Sequence, residues 1–501
     1  MNDGKTAVKS ISVEFLPDEE RVSALVPAVN KARKAQEIWA GTRIEERLRR
    51  LRRLRFLLAQ NASRLAAVSA FARGCPESEV LASEVLPLIE AARFLEKSAK
   101  RILAPCKLGS RQRPFWLAGI GSQIHREPCG VVLIIGPSNY PLLIPAIQMM
   151  QALVAGNTVL LKPGDRGRSV AKPFCDLMAC AGFSASLVTL LSESADSARA
   201  AIAARPDKVV FTGSAATGRL IQKQLAPFLI PSTMELSGCD PSIVLHDADL
   251  GLTTRALTFG LRLNGGRTCV APRRVFVVRN VASDLEGRLS ESVEKLISSN
   301  EAQITLAESA RCHIRSAIEN GAHFVAGDES RLPAVLAGVP ASASILQEDL
   351  FAPVLSLVTV ADEEEAIRLS NNSPYALGAS IFTRDENAGR MIASRLNAGI
   401  VTVNDLIIPG ADPRLPFGGR AHSGFGVTRG EEGLLDLTVP KVVTVTRSAF
   451  RPAFDAPQEG DERLIQAYIK MAHGGGFKTR WNSLLALVRE LARRSRKRKW
   501  N

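Results

Sequence analysis

The fold of this chain is decided by the stretch VVLIIGPSNYPLLIPAIQMMQALVAGNTVLLKPGD at residues 131–165. Two short runs, 131–135 and 158–161, are almost wholly apolar and flank a helix-like segment at 141–154. Further strand-like runs at 187–191 and 208–211 are each followed by helix-like segments. Apolar strands that alternate with helices are typical of a parallel sheet covered on both faces. The stretch therefore predicts a doubly wound α/β domain of the dinucleotide-binding type.

The rest of the chain is organised around this domain. Residues 21–104 are rich in Ala, Leu, Arg and Glu at helical spacing, and 114–127 are extended in pattern. A second α/β region begins near residue 235. We predict a cofactor-binding domain at 1–234 with bridging strands at about 110–127, and a catalytic domain at 235–426. An oligomerisation strand at 427–447, a linker at 448–477 and a basic amphipathic tail at 478–501 complete the prediction.

Length and composition set the broad class. The chain has 501 residues, of which 46% are hydrophobic and 23% charged, as expected for about three globular units. Its eight cysteines form no CxxC pair and its six histidines no HExxH, so we predict no metal site and a reducing, cytoplasmic location. The N-terminus lacks the apolar segment of an export signal.

The positive charge is concentrated at the end of the chain. Net charge is +14, and residues 478–501 hold nine Lys or Arg and one Glu. An apolar stripe runs through this segment at helical spacing: Trp481, Leu484, Leu485, Val488 and Leu491. Amphipathic helices with basic ends bind anionic membranes, which makes a peripheral membrane surface the favoured partner. Docking on the same or a partner subunit is the alternative, and nucleic acid is unlikely.

Three local patterns indicate chemistry. The segment GSAATG at 213–218 follows a strand and opens a helix, so it offers backbone N–H groups to a phosphate; GxGxxG is absent. Cys269 lies in NGGRTCVAPRR, where Arg267 is expected to lower the thiol pKa. Glu235 lies between Met234 and Leu236, a setting that raises a carboxyl pKa and suits a general base.

These segments together resemble the aldehyde dehydrogenase family. The resemblance covers about residues 110–447, and its motifs keep the family order: IIGPSNYP (134–141), TVLLKPGD (158–165), FTGSAATGRLI (211–221), MELSGCDP (234–241), NGGRTCVAP (264–272), EDLFAPVL (348–355), NNSPYALGASIF (371–382), VTVND (401–405) and LPFGGRAHSGFG (415–426). The motifs are most similar to class 3, which acts on fatty and aromatic aldehydes.

The resemblance implies a role for each matching residue. Cys269 matches the nucleophile, Glu235 the base that activates water, and Asn139 the side-chain donor of the oxyanion hole. The implied cofactor is NAD or NADP, and the implied contacts to it are Lys162, Asp165, Gly213, Ser214, Gly218, Glu348 and Phe351. The implied reaction passes through a thiohemiacetal and a thioester to a carboxylic acid. The implied assembly is a homodimer.

Several positions depart from the family pattern. Arg267 replaces a glutamine, which leaves two roles open, activation of Cys269 and crowding of the substrate channel. Ser237 and Ala352 each replace a glycine. Asp165 replaces a glutamate beside Arg166 and Arg168, which leaves NAD and NADP both open. The favoured function is oxidation of apolar or long-chain aldehydes. The alternatives are an acylating enzyme that passes the thioester to a thiol carrier, and a weakly catalytic scaffold that binds a membrane or a protein.

Overall fold

The computed structural model describes residues 19–299, 306–447, 454 and 456–498. The chain divides into two compact units, Met1–Cys106 with Ile124–Lys441, and Lys107–Gln123 with Val442–Asn501. The helices are α1 (Glu19–Ala40), α2 (Ile44–Gln60), α3 (Ala62–Arg73), α4 (Glu77–Val80), α5 (Leu86–Ile102), α6 (Leu143–Ala155), α7 (Arg168–Ala181), α8 (Ala195–Ala203), α9 (Ala215–Leu225), α10 (Leu250–Arg262), α11 (Arg279–Ser299), α12 (Glu308–Glu319), α13 (Glu363–Asn371), α14 (Glu386–Arg395), α15 (Gly430–Asp436), α16 (Asp461–His473) and α17 (Phe477–Arg498).

Within the described ranges, the strands form two large sheets and two small ones. They are β1 (Cys106–Leu108), β2 (Ile120–Pro128), β3 (Val131–Ile135), β4 (Thr158–Lys162), β5 (Val188–Leu190), β6 (Lys208–Gly213), β7 (Ser232–Leu236), β8 (Asp240–Val244), β9 (Pro272–Val278), β10 (His323–Ala326), β11 (Ala334–Ala337), β12 (Val354–Val360), β13 (Tyr375–Ala376), β14 (Gly378–Phe382), β15 (Ile400–Val403), β16 (Arg420–Ala421), β17 (Gly424–Phe425) and β18 (Thr438–Thr446). The small sheets are β1–β2–β18 and β13–β16.

The first large sheet has the order β17–β7–β6–β3–β4–β5 and is parallel except for β17. All five residues of β3 are buried, which is why that strand is apolar throughout. The chain proceeds from β3 to β4 and β5 on one side, then returns to β6 and β7 on the other. This reversal opens a crevice at the carboxyl ends of the strands beside β3, where doubly wound sheets bind ligands. The predicted α/β fold is confirmed.

The second large sheet has the order β10–β11–β12–β9–β8–β14–β15. Its central strand β9 is buried at every position, and its strands are parallel except for the β10–β11 pair. The segment that carries Cys269 leads directly into β9. A buried central strand thus gives this segment a fixed anchor.

Two predicted boundaries differ from the structure. The predicted domain junction at 234/235 falls inside β7, and β17, expected in the catalytic domain, pairs with β7 instead. That pairing covers the edge of β7 and satisfies its backbone hydrogen bonds. The predicted oligomerisation strand at 427–447 contains helix α15 before β18 begins at Thr438. The division into cofactor and catalytic domains stays a prediction.

The predicted linker at 448–477 is wrong over much of its length, because α16 occupies Asp461–His473. Two acidic residues in the first turn and two basic residues in the last complement the helix dipole. This helix packs against α17, and Ala467 is its buried residue. Residues 448–453 and 455 lie outside the described part. Among the described residues, no helix is long and apolar enough to cross a membrane.

Candidate active site

Cys269 lies on the wall of a cavity of about 780 Å³ in the first unit. The wall is mostly apolar, with side chains from α6, α10 and the segment before β16. The apolar members include Leu143, Ile144, Phe259, Leu263, Val270, Ile407, Ile408 and Phe417. A space of this size and lining accepts a bulky or extended apolar molecule next to a thiol.

The turn before Cys269 is held in an unusual backbone conformation. Asn264, Gly265 and Gly266 have φ values of 52°, 58° and 71°. A Cβ on Gly266 would stand 2.6 Å from the backbone of Pro353, so only glycine fits there. Left-handed residues held this way by their surroundings are typical of functional sites. The turn leaves Cys269 half-buried on the cavity wall.

Asn139 is tied to this turn in both directions. Its Nδ2 donates to the main-chain carbonyl of Arg267 at 2.9 Å. Asn264 Nδ2 donates to the carbonyl of Asn139 at 2.9 Å and to that of Arg267 at 3.1 Å. The sequence thus identified an amide that the fold brings within two residues of the candidate nucleophile. Preorganised donors of this kind suit an oxyanion hole.

Glu235 is buried on β7, and its carboxylate accepts hydrogen bonds from three side chains. Thr212 Oγ1 donates at 2.9 Å and Gln148 Nε2 at 3.4 Å to Oε2, while the Thr428 hydroxyl bonds to Oε1. Burial raises the pKa of Glu235, and Arg429 and the two threonine hydroxyls oppose the rise. A carboxyl with a raised pKa, restrained by hydroxyl groups, fits the predicted general base.

The Cys269 thiol is not activated in the way the sequence predicted. Burial raises its pKa to about 12, and the charges of Glu235 and Asp240 raise it further, whereas Arg429 lowers it. The guanidinium of Arg267 instead donates to the carbonyls of Asn264 and Arg73. Arg429, which no sequence motif marked, is the cation that acts on the thiol.

A buried ion cluster that the sequence did not reveal supports the turn. The guanidinium of Arg73 contacts Glu79 at 2.8 Å, Glu84 at 3.1 Å and Asn264 Oδ1 at 3.2 Å. Glu84 also accepts from the backbone N–H groups of Leu142, which precedes α6, and Leu143, its first residue, at 2.9 Å each. The Tyr140 hydroxyl lies 2.7 Å from Thr268 Oγ1, next to Cys269. Helices α3 and α6 are thereby linked to the nucleophile segment.

A second buried pair connects the segment at 348–353 with the segment before β9. Arg273 contacts Asp349 at 3.1 Å and donates to the carbonyls of Gly266 and Ala352 at 2.8 and 2.9 Å. Asp349 also accepts from the backbone N–H of Phe351 at 2.9 Å, and Phe351 has φ of 48°. Burial raises the pKa of Asp349, and the charge of Arg273 opposes the rise.

The other predicted cofactor residues lie mostly along the crevice beside β3. Lys162 ends β4; burial lowers its pKa, and the nearby Glu193 and Asp165 raise it. Gly213 ends β6, Ser214 caps α9 by accepting from the N–H of Thr217 at 3.2 Å, and a Cβ on Gly218 would approach Leu236 to 2.9 Å. Glu348 is exposed and accepts from the Tyr375 hydroxyl at 3.5 Å.

Comparisons with known proteins agree with this arrangement. The protein-family sequence model described as "Aldehyde dehydrogenase family" matches residues 18–443 of this chain. A 4,4'-diapolycopene aldehyde oxidase of Methylomonas sp is 32% identical over 84% of this chain and 81% of its own length. The NADP-dependent glyceraldehyde-3-phosphate dehydrogenase of Bacillus halodurans C-125, solved with NADP, is 30% identical with a TM-score of 0.76, over 86% of this chain and 92% of its own. An aldehyde dehydrogenase of Brucella melitensis biovar abortus 2308 has a TM-score of 0.78 at 25% identity, over 85% and 90%.

Proposed function

Because the chain belongs to the aldehyde dehydrogenase family, and is therefore an NAD(P)-dependent aldehyde oxidoreductase, we propose that it oxidises apolar, long-chain aldehydes to carboxylic acids. The observation that carries the proposal is the position of Cys269 on a mostly apolar cavity of about 780 Å³. The relative named for an apolar aldehyde, diapolycopene aldehyde, supports the same substrate class.

The proposed chemistry uses three side chains of this chain. The Cys269 thiol loses its proton to solvent, Sγ attacks the aldehyde carbon, and the resulting oxyanion accepts hydrogen bonds from Asn139 Nδ2 and the N–H of Cys269. A nicotinamide cofactor, when bound, would supply the hydride acceptor for oxidation of this thiohemiacetal to a thioester. Glu235 then takes a proton from water, whose oxygen attacks the thioester carbon and releases Sγ and the acid.

The residues beside β3 fit a dinucleotide. The ammonium of Lys162 has no hydrogen-bond or ion-pair partner among the described residues, although it is half-buried. The first amides of α9, an 11-residue helix, point out of the helix end that follows β6. We assign Lys162 to the adenosine ribose, and Gly213, Ser214 and Gly218 to the phosphate contact. Asp165 is assigned to the ribose hydroxyls, and Glu348 and Phe351 to the nicotinamide end.

The first experiment is cofactor reduction followed at 340 nm. Purified full-length protein is given short, aromatic and long-chain aldehydes with NAD and with NADP. The proposal expects kcat/KM to rise with chain length and the signal to vanish in Cys269→Ala. Equal rates for short and long aldehydes would remove the substrate assignment, and acyl transfer only in the presence of coenzyme A would favour the acylating enzyme.

The helical hairpin α16–α17 supports the proposed membrane partner. Ser483 of α17 is buried within the hairpin, whereas the predicted apolar stripe is not: Trp481, Leu485 and Val488 are 51%, 42% and 55% exposed. Ile465 and Ile469 of α16 are exposed as well. Apolar side chains next to Lys478, Arg480, Arg489 and Arg493 match the chemistry of an anionic bilayer surface. The proposal is therefore an enzyme of the cytoplasm that attaches to the membrane peripherally.

Co-sedimentation with vesicles tests this surface. The full chain should sediment with phosphatidylserine-containing vesicles and not with neutral ones. Replacing Trp481, Leu485 and Val488 by Ser should abolish sedimentation, while the exposed polar control Gln466→Ser should retain it. Equal sedimentation of the triple variant and the control would contradict the proposal and favour subunit docking.

The edge strand β18 supports the proposed homodimer. Val439, Val442, Val443 and Val445 are between 40% and 62% exposed on a strand that ends its sheet. An exposed apolar edge strand is a template for pairing with another chain. Sedimentation equilibrium should give a dimer mass for the full chain and a monomer mass after Val443→Lys.

A further inference from the structure

The backbone of Arg429 has a conformation that is ordinarily restricted to glycine. Its φ and ψ are 61° and 174°, a region in which a residue with a Cβ atom is strained. Both neighbours are held by backbone hydrogen bonds. Thr428 exchanges two of them with Phe417, at 2.7 and 2.8 Å, and the N–H of Gly430 donates to the carbonyl of Pro413 at 3.2 Å. The fold thus enforces strain at an arginine, a combination that is concentrated at functional sites.

The side chain of Arg429 is fixed on the wall of the cavity that holds Cys269. Its guanidinium donates to the carbonyl of Gly410 at 2.7 Å and stands 4.8 Å from the ring centre of Phe417. The residue is half-buried, so bulk water screens its charge less than that of an exposed arginine. The strained backbone therefore presents a positioned cation to the cavity.

This cation acts on the candidate nucleophile against several carboxylates. Burial raises the pKa of the Cys269 thiol, and the charges of Glu235, Asp240 and Asp349 raise it further. The charge of Arg429 lowers it. An anionic Sγ in this surrounding is thus stabilised by Arg429 and destabilised by the three carboxyl groups.

The same cation acts on the candidate base. Burial raises the pKa of Glu235, and the charge of Arg429 is the largest influence that opposes the rise. The side chains that bond to the carboxylate, those of Gln148, Thr212 and Thr428, are uncharged. Arg429 follows Thr428 directly in the chain, which brings the guanidinium and the hydroxyl partner of Glu235 from one short segment.

We propose that Arg429 is a positioning residue for both halves of the reaction, in which one guanidinium held by a strained backbone stabilises Cys269 as a thiolate and then Glu235 as a carboxylate. The inference rests on the proposed oxidation of aldehydes and adds a residue to its mechanism. The thiolate is needed for attack on the aldehyde and the carboxylate for hydrolysis of the thioester. Because these steps follow one another, a single preorganised charge serves each in turn.

The first test removes the charge in the full-length protein and follows each reacting group. Alkylation of Cys269 by iodoacetamide should be slower by roughly tenfold in Arg429→Gly and Arg429→Ala at each pH, a moderate effect for one charge near a buried anion. Arg429→Lys should keep most of the wild-type rate. Millimolar guanidinium chloride, compared with sodium chloride, should restore part of the rate in Arg429→Gly. The rise of thioester hydrolysis with pH, followed on the acyl enzyme by mass spectrometry, should move to higher pH in Arg429→Gly and Arg429→Ala.

The second test separates the charge from the backbone. Arg429→Gly and Arg429→Ala both lack the guanidinium, but only glycine adopts the observed φ and ψ without strain, so Tm should be higher for Arg429→Gly. The two variants should nevertheless share the same chemical defect. Leu229→Gly, at an exposed residue with φ of 53°, is the control and should leave alkylation and hydrolysis unchanged.

A purely structural role for Arg429 predicts a different pattern, in which the more stable glycine variant is also the more active one. That pattern, or wild-type alkylation rates in both variants, would overturn the inference. Loss of turnover without displacement of either pH dependence would overturn it as well, and equal Tm values would refute the part assigned to the backbone. Alkylation and Tm need no turnover, so they decide the inference even if the proposed oxidation fails.

Discussion

The side-chain amide of Asn139 donates a 2.9 Å hydrogen bond to the main-chain carbonyl of Arg267, two residues before Cys269. The donor proposed to stabilise the oxyanion is thus fastened to the segment that carries the nucleophile. Asn139→Ala should lower kcat by roughly a hundredfold or more, about 3 kcal/mol, with a smaller effect on KM. Steady-state kinetics measure the effect. An unchanged kcat would remove Asn139 from the mechanism, and thermal unfolding checks that the variant is folded.

Glu235→Gln should separate the two halves of the reaction. The amide cannot take a proton from water, so steady-state turnover should fall by about two to four orders of magnitude. The first turnover should persist, because thioester formation does not need the carboxylate as a water-activating base. A stoichiometric burst of reduced cofactor, with an acyl adduct on the Cys269 peptide by mass spectrometry, is the expected result. Loss of the burst with no adduct would place Glu235 before thioester formation.

The same substitution should stabilise the protein at neutral pH. Burial raises the pKa of Glu235 in the folded protein above 4.5, its usual value in an unfolded chain. At pH values between 4.5 and the raised pKa, the folded protein keeps a proton that the unfolded chain has released. The free energy of unfolding therefore falls as pH rises through the raised pKa, and Glu235→Gln removes that fall. Thermal unfolding at several pH values should show a higher Tm for Glu235→Gln above this window. The exposed control Glu432→Gln should follow wild type.

The Cys269 thiol should react slowly at neutral pH in the free enzyme. With a pKa of about 12, its alkylation by iodoacetamide should rise about tenfold per pH unit from neutral pH upwards without a plateau. Peptide mass spectrometry follows Cys269 separately, with the exposed Cys180 as internal reference. Arg429→Gln should slow the reaction and Arg267→Gln should leave it unchanged. The reverse order would restore the role that the sequence suggested for Arg267.

Cofactor choice should depend on Asp165 and Arg166, both exposed after β4. A 2′-phosphate near this segment would be repelled by Asp165 and attracted by Arg166. Asp165→Asn should raise the ratio of kcat/KM for NADP to that for NAD by about tenfold, equivalent to about 1.4 kcal/mol. Arg166→Gln should lower it. Asp176→Asn, an exposed change on α7, is the control, and a ratio that Asp165→Asn does not move would reject the assignment.

Arg73 should matter far more for stability than its distance in sequence from the motifs implies. Arg73→Met leaves the buried carboxylate of Glu84 without its cation, which typically costs about 3–5 kcal/mol. Arg93→Met, which removes an exposed ion pair with Glu90 at 3.9 Å, should cost under about 1 kcal/mol. Denaturant unfolding measures both. Similar values for the two variants would mean that the buried cluster contributes little.

The sequence predicted the parts of this protein that have strong local patterns. The buried strand β3 is wholly apolar, and β4 and β6 have apolar centres, because helices cover both faces of the sheet; that pattern is visible without a structure. Cys269, Glu235 and Asn139 lie in motifs with a fixed order along the chain. The identity of the charge that acts on Cys269 was beyond reach, because Arg429 is 160 positions away in sequence and no local pattern distinguishes it from other arginines.

Other features depend on tertiary packing that no local pattern specifies. Proline and glycine residues flank the sequence of α16, and acidic residues precede it and begin it, so this part of the sequence resembles a linker. Its helical structure is accompanied by packing against α17, which the local sequence does not reveal. The roles of Arg73 and Arg273 depend on buried carboxylates, Glu84 and Asp349, that belong to other segments. Arg267 lies two residues before Cys269 in sequence, which suggested that its charge acts on the thiol. In the folded chain its guanidinium donates to the carbonyl oxygens of Asn264 and Arg73.

Glu84 joins parts of the first unit that would otherwise be separate building blocks. Its carboxylate accepts from the start of α6, from Ser69 and from Arg73, which in turn contacts Asn264 in the nucleophile segment. The amino-terminal helices are therefore bonded to the candidate active site through Ser69, Arg73 and Glu84. Local melting of α3 would disorder the catalytic turn, so inactivation and unfolding should coincide in one cooperative step. For protein engineering, this means that the amino-terminal helices must be redesigned together with the active site or left as they are.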